Sequence, residues 1–146
     1  MTGSLTGGCQ CGRIRYSSST ANRAGYWCHC RMCQRASGNV AISFLGVAKA
    51  DLVWDIAPDR YASSPIAERL FCARCGTQLG FEYGGNDHTD ITAGSLDHPE
   101  LLTCESQFGV ESRHAVWWPA APLPEMRADA YEKLQDRWAS AGLPLP

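Results

Sequence analysis

The alternation of hydrophobic and polar residues predicts a mainly β chain made of short strands. Two segments place every second hydrophobic residue on one face of a strand: Ile14 and Tyr16 in "RIRY" (13–16), and Leu79, Phe81 and Tyr83 in "TQLGFEY" (77–83). Strands are also expected in four short segments rich in β-branched or aromatic residues: 40–47, 68–72, 88–96 and 105–112. Many short strands separated by turns favour a sandwich or a folded-over sheet.

Two segments have the pattern of helices. The first is short, from Arg31 to Ser37, and Gly38 ends it. The second covers about 125–141 and is ended by Gly142. Apolar residues recur on one face of this second helix: Tyr131, Leu134 and Trp138. The chain of 146 residues is short enough for us to expect one domain over 1–146.

Charge and composition narrow the classes of partner. The formal net charge is −2, and the basic residues form no stripe, so nucleic acid and anionic membranes are not expected partners. The start "MTGSLTGG" lacks the basic and apolar regions of a signal peptide, and the longest apolar-leaning stretch, "VAISFLGVA", is too short to span a bilayer. We therefore expect a soluble cytoplasmic protein, whose reduced cysteines are candidates for metal binding rather than disulfides.

Seven of the eight cysteines fall into three clusters: Cys9-x-Cys11, Cys28-x-Cys30-x-x-Cys33 and Cys72-x-x-Cys75. The last cluster, in "FCARCGT", has the spacing of a zinc knuckle, in which two thiolates converge on one ion and the following glycine permits a tight turn. One knuckle supplies only two of the four ligands of a structural zinc site. A second pair must therefore come from elsewhere in the chain.

Ligand counting favours one grouping of the cysteines but leaves others open. If Cys72 and Cys75 join Cys9 and Cys11, the result is one site of four and one site of three. The alternative joins the knuckle to two members of the central cluster and leaves the remaining cysteines without a site. A further alternative is a second closed structural site, completed by His29, Cys104 or another side chain. Outside such a site, Cys104 is expected to be a small buried residue.

A site with three cysteines predicts thiol chemistry. Three protein ligands and one open position are typical of catalytic zinc, and three thiolates make that zinc a weak Lewis acid that still binds a thiol as thiolate. His29 is the nearest titratable residue for proton transfer, or else it supports the ligands. Arg31 and Arg35 could bind substrate carboxylates, or could be ordinary surface charges. A zinc-stabilised binding or scaffold module without turnover remains an alternative function.

The motifs "GGCQCGRIRY", "CHCRMCQRASG", "RLFCARCGTQL", "TAGSLDHPE" and "ESRHAVWW" resemble the glutathione-dependent formaldehyde-activating enzymes, also called S-(hydroxymethyl)glutathione synthases. The family includes a centromere protein V domain. The resemblance extends from about Leu5 to about Trp118, which we take as the core of about 5–118, followed by the helix at about 125–141. Where the family usually has His-Ile, this chain has Gln107-Phe108.

Several expectations follow from this resemblance. It implies a β-tent fold, with sheets folded around zinc sites. It also implies a structural zinc on Cys9, Cys11, Cys72 and Cys75, and a catalytic zinc on Cys28, Cys30 and Cys33. The activity it implies is that of a carbon–sulfur lyase that joins glutathione to formaldehyde, so a small thiol and an aldehyde are the expected partners.

Overall fold

The computed structural model describes residues 3–117, 124, 127–130 and 132–144. The chain divides into two compact units, one ending at His114 and one beginning at Ala115. All ten strands of the described part lie in the first unit. The second unit contains short 3-10 turns and one α-helix.

Three strands form a small antiparallel sheet. They are β1 (Leu5–Gly8), β2 (Arg15–Ser18) and β5 (Leu52–Trp54), in the order β1-β2-β5. Strand β2 begins two residues later than the sequence pattern indicates, but Ile14 and Tyr16 are both buried, as their spacing predicts.

Seven strands form the large sheet: β3 (Ala24–Cys28), β4 (Ile42–Ala48), β6 (Asp59–Ser64), β7 (Ala67–Phe71), β8 (Gln78–Tyr83), β9 (His88–Thr92) and β10 (Thr103–Phe108). Their order is β10-β3-β4-β9-β8-β7-β6. All pairs are antiparallel except β10 with β3, which run parallel. The predicted strands at 88–96 and 105–112 each end early in a 3-10 turn, at Ala93–Ser95 and Val110–Ser112.

The main core lies between the two sheets. It includes Leu5 and Tyr16 from the small sheet and Leu45, Leu70 and Ile91 from the large one, the last three with no exposed surface. Burial of such aliphatic side chains is the dominant stabilising contribution in a domain of this size.

The large sheet carries a second apolar cluster that includes Cys28, Cys33 and Phe44. Because side chains alternate along a strand, β4 contributes Leu45 to the main core and Phe44 to this second cluster. Both faces of the large sheet therefore carry buried apolar side chains in this region.

The prediction that Leu79, Phe81 and Tyr83 share one face is wrong. Leu70 pairs with Gly80 and Phe71 pairs with Gln78, so Leu79 is an extra residue that forms a β-bulge. The bulge places Leu79 in the main core, whereas Phe81 packs against the second apolar cluster.

Helix α1 spans Arg31–Ser37, the predicted range, and ends at Gly38, which adopts a left-handed conformation. Helix α2 spans Glu132–Ser140 and ends before Gly142, as predicted. It is shorter than the predicted 125–141 because a 3-10 turn occupies residues 128–130. Tyr131 and the side chains of Leu134 and Trp138 lie outside the described part.

The mainly β class with a C-terminal helix is confirmed, and the arrangement of ten strands in two sheets agrees with the β-tent description. None of the helices in the described ranges has the length and hydrophobicity needed to span a membrane.

Candidate metal centres

Four cysteines converge where hairpin turns of the two sheets meet. Cys9 and Cys11 lie in the β1–β2 turn, and Cys72 and Cys75 lie in the β7–β8 turn. Their four sulfur atoms lie within 4.8 Å of one another. The Sγ atoms of Cys9 and Cys11 are 3.6 Å apart, and those of Cys11 and Cys72 are 3.8 Å apart. The cluster thus connects the small sheet to the large one.

Backbone groups shape the β7–β8 turn around its sulfur atoms. The N–H of Gly76 donates to the carbonyl of Cys72 at 2.7 Å, and Gly76 has φ of 79°, a left-handed conformation that glycine adopts readily. The Thr77 hydroxyl, 3.2 Å from Cys75 Sγ, is the main reason that the pKa of this thiol falls to about 5. The turn therefore favours the thiolate form that binds metal.

The remaining three clustered cysteines converge at the junction of β3 and α1. Cys28 ends β3, Cys30 is the N-cap of α1, and Cys33 lies in its first turn, with all three sulfur atoms within 4.8 Å of one another. The Sγ of Cys30 accepts a hydrogen bond from the Cys33 N–H at 3.4 Å. Cys30 therefore both caps α1 and supplies a sulfur atom to the cluster.

The end of β10 packs directly against this cluster. The carbonyl of Phe108 accepts a hydrogen bond from the His29 N–H at 2.9 Å. Gly109 approaches so closely that a Cβ there would lie 2.8 Å from the backbone nitrogen of Cys30. Only a residue without a side chain fits at this position unless the cluster moves.

Arg69, which the sequence analysis did not single out, places a cation directly against the three cysteines. It lies on β7, is 4% exposed, and donates from Nη2 to the Sγ of Cys33 at 3.4 Å. The Cys28 thiol and then Arg69 lower the pKa of Cys33 to about 5. The Arg69 guanidinium carbon also lies 5.2 Å from the centre of the Phe81 ring, a cation–π distance. The strand pattern alone could not show which face Arg69 occupies.

His29 is fully buried, and its Nε2 lies 2.9 Å from Oε1 of Gln107. It is not grouped with the three cysteines in the described part of the chain. Cys104 also lies outside both clusters. It is exposed on the edge strand β10, with its Sγ 3.6 Å from the carbonyl of Ser106, so the expectation of a small buried residue is wrong.

The structure does not bring Arg31 or Arg35 to the sulfur atoms. Arg31 donates to Oε1 of Gln34 and lies 3.5 Å from Nε2 of His114. Arg35 lines a neighbouring hollow beside Tyr61. Neither is among the described residues that line the cavity over the cysteines.

A cavity of about 480 Å³ opens over the three cysteines. Its large apolar and aromatic lining residues come from several elements: Tyr26, Met32, Phe44, Ile66, Phe81, Tyr83 and Phe108. Gln107 and Ser106 also line it. Apart from the three cysteines, Arg69 is the one ionisable residue with a charge at neutral pH among the described lining residues. The three-cysteine cluster thus borders a cavity with largely apolar surroundings, with Cys28 and Cys33 themselves buried.

The donor sets fit zinc. A tetrahedron of thiolates around zinc places its sulfur atoms about 3.8 Å apart, close to the distances in the four-cysteine cluster. All eight cysteines, which lie in the described residues, are free of disulfide bonds. The predicted division into groups of four and three is confirmed as an arrangement of sulfur atoms that can hold metal.

Comparisons with known proteins place the chain among related sequences. A sequence model of a family described as "Glutathione-dependent formaldehyde-activating enzyme" matches residues 4–115. An uncharacterized lyase of Schizosaccharomyces pombe is 29% identical over 108 residues, which cover 73% of this chain and 79% of the relative. A Rhodobacter sphaeroides protein of known crystal structure superposes with a TM-score of 0.55 at 18% identity, covering 70% of this chain and 98% of its own. This last similarity concerns the fold alone.

Proposed function

Because the chain belongs to the glutathione-dependent formaldehyde-activating enzyme family, we propose that it makes or cleaves a carbon–sulfur bond between a thiol and an aldehyde. The observation that carries this proposal is the cavity over the three-cysteine cluster, which Cys28, Cys30 and Cys33 all line. The other cluster already offers four ligands, the full set of a structural zinc site. We assign the reaction to the first cluster and a structural role to the second.

The two clusters would each hold one zinc ion. Cys9, Cys11, Cys72 and Cys75 provide a closed set of four ligands, and Cys28, Cys30 and Cys33 provide three. When bound by three thiolates, zinc offers one free coordination position and favours the thiolate form of a thiol. A reducing compartment such as the cytoplasm keeps all seven ligands available for metal.

The proposed reaction is an addition that needs no oxidant or reductant. The sulfur of the thiol forms a bond to the carbonyl carbon, the carbon–oxygen π bond becomes a hydroxyl, and the proton lost by sulfur ends on that oxygen. Reversal of the same steps is a carbon–sulfur lysis. The largely apolar walls of the cavity surround the reacting atoms, and Arg69 offsets the negative charge of the thiolates through Cys33.

We assign His29 a positioning role within this site. Its buried ring lies against Gln107, whose side chain lines the cavity, so His29 can orient the Gln107 amide toward a bound aldehyde or hydroxyl. Gln107 and Phe108, the two positions at which the chain departs from the family's usual His-Ile, both line the cavity. The placement of Arg31 and Arg35 does not support a role for them in binding substrate carboxylates.

Replacing Cys30 by serine tests the proposal. Serine is a good N-cap, so Cys30→Ser should keep α1 while it removes one sulfur ligand. We expect the wild-type protein to consume formaldehyde in the presence of thiols, and Cys30→Ser to lose about a hundredfold or more of this activity. Cys104→Ser, an exposed cysteine outside both clusters, should be unaffected. Full activity in a folded Cys30→Ser protein would contradict the proposal.

One observation favours a second candidate, a zinc-stabilised binding module without turnover. Several apolar side chains that line the cavity are exposed at its mouth, among them Met32, Ile66 and Phe108. Exposed apolar patches are typical of interaction surfaces. In that case thiols should neither be consumed with any aldehyde nor compete for the metal of the three-cysteine cluster.

A further inference from the structure

The walls of the cavity determine which thiol could occupy it. Phe44 and Phe81 lie at its buried side, and their ring centres are 6.5 Å apart. Tyr83 packs edge-on against Phe81 at 4.9 Å. Aromatic rings in such contact bind apolar groups through burial of area and through ring–ring interactions. The cavity therefore has the chemistry of a site for aromatic or aliphatic substituents.

Apart from the cysteine ligands and Arg69, the described lining residues offer no charged partner for a peptide-like thiol. Glutathione carries carboxylate groups and an ammonium group at neutral pH. Among the described lining residues, no carboxylate is present to receive the ammonium, and Arg69 is the one cation. Burial of a charge without a partner is strongly unfavourable.

Arg69 is not available to a substrate carboxylate. Its guanidinium donates to Cys33 and lies over the Phe81 ring, and the side chain is almost completely buried. Binding a carboxylate would require it to leave at least one of these partners. Arg31 and Arg35, the other basic residues near α1, lie outside the cavity lining.

From these observations we infer that the cavity selects a thiol with an apolar substituent, aromatic or aliphatic, over a charged thiol such as glutathione. This inference rests on the proposed function and names the substrate class of the same site. Ile66, which is 66% exposed, and Phe108, which is 61% exposed, both line the cavity and would be covered by the apolar substituent. Their burial supplies affinity that is available only to an apolar ligand.

Binding, measured separately from turnover, tests the inference. The zinc-loaded protein is titrated calorimetrically with phenylmethanethiol and, in parallel, with glutathione under reducing conditions. We expect phenylmethanethiol to bind at least about tenfold more tightly. Equal or tighter binding of glutathione would overturn the inference.

Matched variants locate the binding. Ile66→Ser removes an exposed apolar side chain from the cavity, and Val53→Ser removes one of similar exposure, 64%, from the small sheet. We expect Ile66→Ser to weaken phenylmethanethiol binding roughly tenfold and Val53→Ser to change it less than about twofold. Phe108→Ala is the second variant of the cavity, with the same expected direction. An equal loss in Val53→Ser and Ile66→Ser, or no loss in either cavity variant, would contradict the assignment.

The outcomes separate this inference from the proposed function. Selective binding of phenylmethanethiol without consumption of any aldehyde would support the apolar site and refute the reaction. Consumption of formaldehyde with glutathione as the better thiol would support the reaction and refute the apolar site.

Discussion

Replacing Gly109 by alanine should disrupt the three-cysteine cluster and leave the four-cysteine cluster intact. Gly109 has φ of 68°, in the left-handed region that residues with a side chain avoid. A Cβ at this position would lie 2.8 Å from the Cys30 backbone nitrogen and 3.2 Å from the Cys30 Cβ. Cys30 caps α1 and supplies a sulfur atom, so a displacement here changes the geometry of the cluster directly.

The expected loss of stability has two parts. The left-handed backbone costs a non-glycine residue about 1–2 kcal/mol, and forcing extra volume against backbone adds about 1–3 kcal/mol. A Gly85→Ala variant separates the two contributions, because Gly85 has a similar φ of 73° but nothing lies within 4 Å of a Cβ placed there. Gly85→Ala should therefore show only the backbone part.

The measurement combines urea denaturation with metal analysis after dialysis against a chelator. Gly109→Ala should lose about 1–3 kcal/mol more free energy of unfolding than Gly85→Ala. It should also retain metal only at the four-cysteine cluster, whereas Gly85→Ala retains metal at both clusters. If Gly109→Ala were as stable as Gly85→Ala and kept both metal ions, the close approach would not be what fixes the position of Cys30.

Two further predictions concern buried charged groups. Arg69→Met removes the donor to Cys33 and should weaken metal binding at the three-cysteine cluster about tenfold or more in a chelator competition. Arg69→Lys keeps the positive charge and should weaken metal binding less. Unchanged metal affinity in Arg69→Met would contradict the role assigned to Arg69. Glu82 accepts hydrogen bonds from Thr89 and Arg60, and these partners hold its pKa below the ordinary value despite the opposing effect of burial. Because its pKa is lower in the folded state, its stabilising contribution is present above the ordinary glutamate pKa and is lost as the pH falls through the lowered value. Thermal unfolding across acid pH should thus show a shallower decline for Glu82→Gln than for the wild type, and identical slopes would rule this contribution out.

The parts of the site that depend on local spacing could be predicted from the sequence. The Cys72-x-x-Cys75-Gly76 turn and the α1 segment ended by Gly38 are fixed by residues within a few positions of one another. The grouping of four and three cysteines was favoured over its alternatives by the ligand count of zinc, a chemical constraint that holds whatever the strand order. These predictions did not require knowledge of how the strands pair.

The parts that depend on strand register could not be predicted in this way. Arg69 reaches the cysteines because β7 pairs with β8 and places Arg69 opposite Phe81 on the cavity face. The bulge at Leu79 changes the face of every residue before it relative to those after it, and no residue in the segment marks its position. The exposure of Cys104 likewise follows from the edge position of β10, which is set by its parallel pairing with β3.

That parallel pairing explains why the chemistry of the site and the shape of its cavity are coupled. Three successive residues, the last two of β10 and the one after it, contact the same few residues of the β3–α1 junction. Gln107 contacts the His29 ring, Phe108 binds the His29 N–H through its carbonyl and lines the cavity through its side chain, and Gly109 makes room for Cys30. A change at Phe108 that displaces its backbone therefore also moves the sulfur cluster. Altered thiol preference and altered metal binding should then appear together unless the substitution at Phe108 leaves the backbone in place.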